Sequence, residues 1–202
     1  VKTAKSSASA ILLLPILALS AGCAAPAVTE PAPAPAVAAT PAPEPAAAYP
    51  AGSEDESRAA AAFERLASLA GEWKGDFQMG ESKGQASVTY RLTGGGSTLE
   101  ETLFKGSPHE MVTMYHRDGP RLLLTHYCAA GNQPTMVLVA SDDPAVLRFD
   151  FLRATNLKTP GAGHMHSAVL DFSKPGRLRS TWTYWADGKA GDTAVFEVER
   201  AL

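Results

Sequence analysis

The chain has 202 residues, with 18 basic and 21 acidic side chains and a formal net charge of −3. This mild acidity, without a basic stripe, excludes the electrostatic footprint of a nucleic-acid-binding protein. Two cysteines in the whole sequence exclude a disulfide framework as the source of stability.

At the start of the chain Lys2 and Lys5 precede an apolar stretch from Ile11 to Leu19, and Ser20-Ala21-Gly22 put small residues before Cys23. That order of basic, apolar and small segments is the pattern of a secretory leader. The apolar stretch is interrupted by Pro15 and falls short of the roughly 20 residues that a bilayer span needs. A cleaved leader over residues 1–22 is therefore expected, not a transmembrane anchor. Leu19-Ser20-Ala21-Gly22-Cys23 resembles the lipobox of bacterial lipoproteins, with its leucine four places before the cysteine where three is commoner. The resemblance implies that Cys23 is acylated and becomes the mature N-terminus. Stable anchoring needs more than one acyl chain, which the diacylglyceryl and N-acyl groups of such lipoproteins supply. Ala24, where an aspartate would signal inner-membrane retention, implies by the same resemblance an outer-membrane lipoprotein facing the periplasm. Loss of the leader removes Lys2 and Lys5, leaving 16 basic against 21 acidic side chains, a balance of −5.

From Ala24 to Gly52 the sequence is dominated by alanine and proline, with eight prolines and no apolar residue larger than valine before Tyr49. Such a segment cannot bury enough surface to offset its ordering entropy. Residues 23–52 read as a disordered tether. Proline-rich chain extends at about 3.1 Å per residue and so reaches on the order of 90 Å. Residues 53–202 then form one domain, long enough for a single core. With Cys23 acylated, Cys128 has no intramolecular partner.

Ser53-Glu54-Asp55-Glu56 has the spacing of a capping box with acids in the first turn. Phe63, Leu66, Leu69 and Ala70 recur at helical spacing before Gly71, which predicts one helix from about Glu54 to Ala70. Beyond Gly71 the pattern predicts ten strands: 72–79, 85–93, 97–104, 110–117, 121–128, 135–141, 146–154, 165–172, 178–186 and 193–199. Turn chemistry separates them, as at Gly94-Gly95-Gly96, Asp118-Gly119-Pro120, Asp142-Asp143-Pro144, Lys174-Pro175-Gly176 and Asp187-Gly188. Short strands so joined form an antiparallel meander, and ten of them most economically close into an up-and-down β-barrel without exposed edges. The expected fold is mainly β, a ten-stranded antiparallel barrel preceded by one short α-helix.

Leu66-Ala67-Ser68-Leu69-Ala70-Gly71-Glu72-Trp73-Lys74-Gly75 resembles the opening of calycin-type barrels, where a short helix leads into a Gly-x-Trp on the first strand. The resemblance, specific over Phe63 to Gly75, implies that Trp73 is structural and plugs one end of the barrel. Its fatty-acid-binding and nitrobindin-like members have ten strands. Nitrobindin-like barrels hold haem through a histidine near the chain's end. The last strand here, Thr193 to Arg200, has none, so a haem role would need His126 or His166 instead.

A barrel of this size can enclose one small ligand. Residues 125–134 hold the densest set of reactive side chains, with His126, Tyr127, Cys128, Asn132 and Gln133. His126 and Cys128, and His164 and His166, are two i,i+2 pairs whose donors suit zinc or copper. Nothing in their spacing requires the two strands to face one another, and a tyrosine–histidine polar network is the simpler alternative. His126 and Cys128 lie about 6.6 Å apart along one strand, too far for an activated thiolate pair. There is no Gly-x-Ser-x-Gly elbow and no His-Glu-x-x-His, so catalysis is not expected. Trp182, Tyr184 and Trp185 fit a core or an aromatic wall, and Met111, Met114, Met136 and Met165 adaptable packing.

These observations imply a tethered barrel that reversibly binds a small, partly apolar molecule. His126, Tyr127, Asn132 and His166 are the expected polar contacts, and Trp182 and Tyr184 the apolar wall. The alternative is an assembly lipoprotein whose filled barrel binds a protein partner through its exterior; haem or a metal is a lesser one.

Overall fold

The computed structural model describes residues 54–201. The leader, Cys23, the tether and the capping serine Ser53 lie outside the described residues. A single helix, α1 (Glu54–Ala67), precedes ten strands. These are β1 (Gly71–Met79), β2 (Ser82–Thr93), β3 (Thr98–Leu103), β4 (Met111–Asp118) and β5 (Arg121–Tyr127), then β6 (Gln133–Val139), β7 (Val146–Thr155), β8 (His164–Asp171), β9 (Arg177–Ala186) and β10 (Lys189–Arg200). Each strand pairs antiparallel with its neighbours in sequence, and β10 pairs with β1 to close the barrel. Closure leaves no strand edge unpaired.

Helix α1 buries Ala59, Ala62, Phe63 and Leu66, one face at helical spacing, against β4 and β5. Its acids Glu54, Asp55 and Glu56 sit in the first turn, where the helix dipole favours negative charge. The chain leaves the helix through bonds from Leu69 N–H to Leu66 O and from Ala70 N–H to Ala67 O. Gly71 follows at φ +132°, a conformation that a side chain would disfavour.

That glycine also leaves room for Arg200, whose guanidinium would lie 2.7 Å from a Cβ at position 71. Arg200 crosses from the end of β10, stacks 4.8 Å from the Trp73 ring centroid, and donates to the carbonyls of Ala70 and Ser68. Trp73 donates from Nε1 to Leu69 O at 2.7 Å and meets Tyr90 edge-on. One end of the barrel is thereby sealed by α1, Trp73 and Arg200. Leu99, Leu122, Leu170 and Leu178, at or near the same end of their strands, are essentially inaccessible.

The opposite end differs. The connections 104–110, 128–132 and 156–163, among the longest between strands, all open there. Its apolar residues Phe77, Met79, Phe104, Met111 and Met165 are only partly buried. Phe104 holds φ +53°, which is unfavourable for a bulky side chain. It folds its ring onto Phe77 and Phe196, 5.4 and 5.9 Å away, across the opening.

Candidate functional site

Alternation along the strands turns Tyr90, Glu101, Thr113 and His126 inward. The register makes them successive lateral neighbours: Tyr90 opposite Glu101, Glu101 opposite Thr113, and Thr113 opposite His126. They form one polar row across four strands of an otherwise apolar wall. Glu101 is 1% exposed, and no ion pair forms at it among the described residues. Its carboxyl accepts from Tyr90 Oη at 2.9 Å and from Tyr115 Oη at 2.7 Å. Burial pushes its pKa up, while the hydroxyls of Tyr115 and Tyr90, with that of Thr113 nearby, pull it down by stabilising the charged form. Burial, then the neighbouring Glu101 charge, holds both tyrosine hydroxyls well above their ordinary range.

At the end of the row, His126 is 2% exposed, and burial pushes its pKa down to about 4. The imidazole is neutral at pH 7. Its Nδ1 lies 3.0 Å from Thr113 Oγ1. Its Nε2 is buried without a hydrogen-bond partner, as is Nε1 of Trp182, whose ring centroid is 5.1 Å away. Trp182 reaches this position because its lateral neighbours are Ala168 and Ala194. A buried polar group without a partner costs about 1–3 kcal/mol, so these two atoms on adjoining rings are positions where an added polar group would be stabilised.

A second cluster sits at the open end. His166 is stacked between Phe151 at 4.6 Å and Trp185 at 4.4 Å. His164 Nδ1 lies 3.0 Å from Ala162 O and must donate there, so its Nε2 accepts from His166 Nδ1 at 3.1 Å. Burial and the adjacent His164 lower the His166 pKa, and Asp150 opposes them. Asn132 donates from Nδ2 to Gly163 O at 2.8 Å, tying the β5–β6 connection to the β7–β8 connection. Its Oδ1 is buried and unpaired. The Tyr184 hydroxyl fills the space over Gly163, where a Cβ would come within 1.5 Å of it.

The structure thus gathers most of the sequence-derived candidates at the open half of the barrel. His126 and Trp182 adjoin in the interior, while Asn132, His166 and Tyr184 occupy the rim. Tyr127 lies on the other face of β5, 49% exposed, away from His126. Cys128 falls just past β5, in a turn where its N–H donates to Asn132 O. His164 and His166 touch, but among the described residues no three His, Cys, Asp or Glu side chains converge on one point. A zinc or copper site formed with His126 and Cys128 does not fit this arrangement. Nor does haem on His126, because Trp182 occupies the space beside that ring.

Glu101, Tyr90 and Thr113 were not singled out by the sequence reading. One signal for Glu101 is present, an acid sharing a strand face with Leu99 and Leu103, but the adjoining Glu100 makes the pair look like surface. Cavities of about 360 and 750 Å³ follow the outside of β1, β9 and β10, among charged residues including Asp76, Arg179 and Glu197. A third, of about 420 Å³, lies between α1 and the β6–β7 connection.

No family model matches the chain, and no curated protein matches it. Among solved structures, it is similar to one described as "Crystal Structure of Rv2717c from M. tuberculosis", with 16% sequence identity and a TM-score of 0.49. That alignment covers 70% of this chain and 98% of the other.

Proposed function

We propose that this chain is a calycin-like barrel lipoprotein that reversibly binds a small, partly apolar molecule at the open end of its barrel. The observation that supports the reading is the pair of buried, unpartnered atoms, His126 Nε2 and Trp182 Nε1, in the half of the barrel where Met79, Met111 and Phe104 are only partly buried. Methionines repack at low cost, and the strained Phe104 is the side chain whose displacement opens the way inward. The apolar part of the ligand replaces these side chains, and its polar part meets the two ring nitrogens. The rim residues His166, Trp185 and Tyr184 form the aromatic wall of the entrance. No bond is made or broken.

In the same reading the domain hangs from lipid chains on Cys23 through the tether of residues 23–52, facing the periplasm from the outer membrane. Labelling with a radioactive fatty acid tests that anchor: label lost in Cys23→Ala supports it, and no label on the unaltered chain refutes it. Native mass spectrometry of the full chain, purified from the envelope in mild detergent, tests binding. An adduct that disappears on denaturation supports the proposal. A bare mass that persists after incubation with envelope extract refutes it in favour of a protein partner on the exterior, where the charged cavities along β1, β9 and β10 lie.

A further inference from the structure

We propose a second binding site, outside the barrel at its sealed end: the crevice between α1 and the β6–β7 connection takes a small apolar carboxylate, held at its head by Arg65 with Arg58 beside it. The site lies at the other end of the strands from the opening and does not depend on ligand binding there.

The helix sequence makes the crevice. Arg58, Ala61, Ala62 and Arg65 recur at i, i+3, i+4 and i+7 and so share one face of α1. Between its two arginines that face carries only methyl groups, and a cavity of about 420 Å³ remains beside it. The facing wall is apolar, with Leu138 and Val139 from the end of β6 and Val146 and Leu147 from the start of β7. Small-ligand sites span about 300–1,000 Å³, and an apolar group that displaces water from such walls is stabilised there.

The charge of the ligand's head follows from Arg65. This side chain is half-buried. Its Nη1 donates to Pro144 O on the facing wall, and its guanidinium lies 5.4 Å from the centroid of the Phe172 ring. Both contacts are to uncharged groups, and Arg65 enters no ion pair among the described residues. The carbonyl and the ring fix the guanidinium before any ligand arrives, so little side-chain freedom is lost on binding. Pro144 O takes one of its N–H donors, and the rest of the planar fork matches a carboxylate. Arg58 lines the same cavity and shares its charge with the exposed Asp55. Asp143 is the acid in the lining. Its Oδ1 accepts from Ala145 N–H, and the two arginines outweigh it.

The test uses the full chain at pH 7 and three probes that differ only in their head: hexanoate, hexan-1-ol and hexylammonium. The Arg65 Nε–H signal and the methyl signals of Leu138 and Val146 report on the cavity in an NMR titration. Hexanoate should shift all of them and bind about tenfold tighter than hexan-1-ol, as a hydrogen bond to a charged group requires. Hexylammonium should bind more weakly than either. Arg65→Gln should bring hexanoate down to the affinity of hexan-1-ol. Ala61→Leu, at an exposed helix position, fills the cavity and should abolish binding of both, so a folding failure of Arg65→Gln leaves a second variant. Equal affinities for the alcohol and the carboxylate, tighter binding of hexylammonium, or hexanoate binding that survives Ala61→Leu overturns the inference. So do methyl signals that no probe moves. A dimer in sedimentation that Ala61→Leu disperses overturns it too, by giving the crevice to a second copy of the chain. A response confined to the Trp182 indole N–H overturns this inference alone and leaves the open-end reading standing.

Discussion

Replacing His126 with asparagine should remove one specific pH dependence from the stability of the barrel. An imidazole whose pKa falls from 6.5 to about 4 on folding is protonated more readily in the unfolded chain than in the native one. Its contribution is therefore complete above pH 6.5 and is lost as the pH falls toward 4, about 3 kcal/mol in all. Glu101 acts in the opposite sense. Its raised pKa gives stability that is present below 4.5 and lost as the pH rises, so the curve for the unaltered protein is a composite. The difference between the unaltered chain and His126→Asn isolates the histidine. At pH 8 the variant should be less stable by about 2–3 kcal/mol, from the emptied volume and the imperfect bond to Thr113. As the pH falls the two stabilities should converge, because only the unaltered chain loses the imidazole contribution. Urea unfolding followed by tryptophan fluorescence at half-unit pH steps between 4 and 8 measures this. Parallel curves, with a constant gap from pH 8 to pH 4.5, would show that His126 is not buried and neutral as described.

Other consequences follow from the same packing. Arg200→Met removes two hydrogen bonds to the carbonyls of Ser68 and Ala70 and the stack on Trp73; a loss of about 1–2 kcal/mol is expected by thermal unfolding. Arg200→Lys should recover little of it, since an ammonium lacks the planar fork. At Gly75 an added Cβ would stand 2.0 Å from the backbone oxygen of Glu197. Gly75→Ala should thus disrupt the β1–β10 seam, at a cost of about 3 kcal/mol or more, visible as lost amide protection in both strands. Of the five tyrosines, Tyr90 and Tyr115 have pKa values raised well above 10. Ultraviolet titration at alkaline pH should show both ionising only when the barrel unfolds, and Tyr90→Phe should remove one from that delayed group.

The strands were legible in the sequence because their ends are written in turn chemistry. Gly119-Pro120 and Asp187-Gly188 fall between observed strands, and Phe63 and Leu66 mark the helix face that is buried. Less visible was which side of each strand faces in. In β5 both faces carry leucines, and Leu122, Leu123 and Leu124 are all buried, so periodicity could not choose between His126 and Tyr127. In β8 the register shifts between Met165 and Ser167, so alternation carried back from Ala168 does not tell which side His164 and Met165 take. The contact between Trp73 and Arg200 joins opposite ends of the barrel sequence, and only closure of the sheet brings them together.

The polar row shows where one more step of sequence reasoning would have reached the site. The turn at Gly119-Pro120 sets Asp118 opposite Arg121 and hence Thr113 opposite His126. The Gly94–Gly96 turn likewise helps set Tyr90 opposite Glu101. Had the face holding Leu99 and Leu103 been taken as inward, Glu101 would have stood out as a carboxyl in an apolar wall. A buried carboxyl requires donors, and the only polar side chains opposite it in the register are Tyr90 and Thr113. Thr113 then points on to His126. The candidate site is thus a consequence of strand register, a property of pairs of strands, whereas a pass along the chain weighs each strand alone.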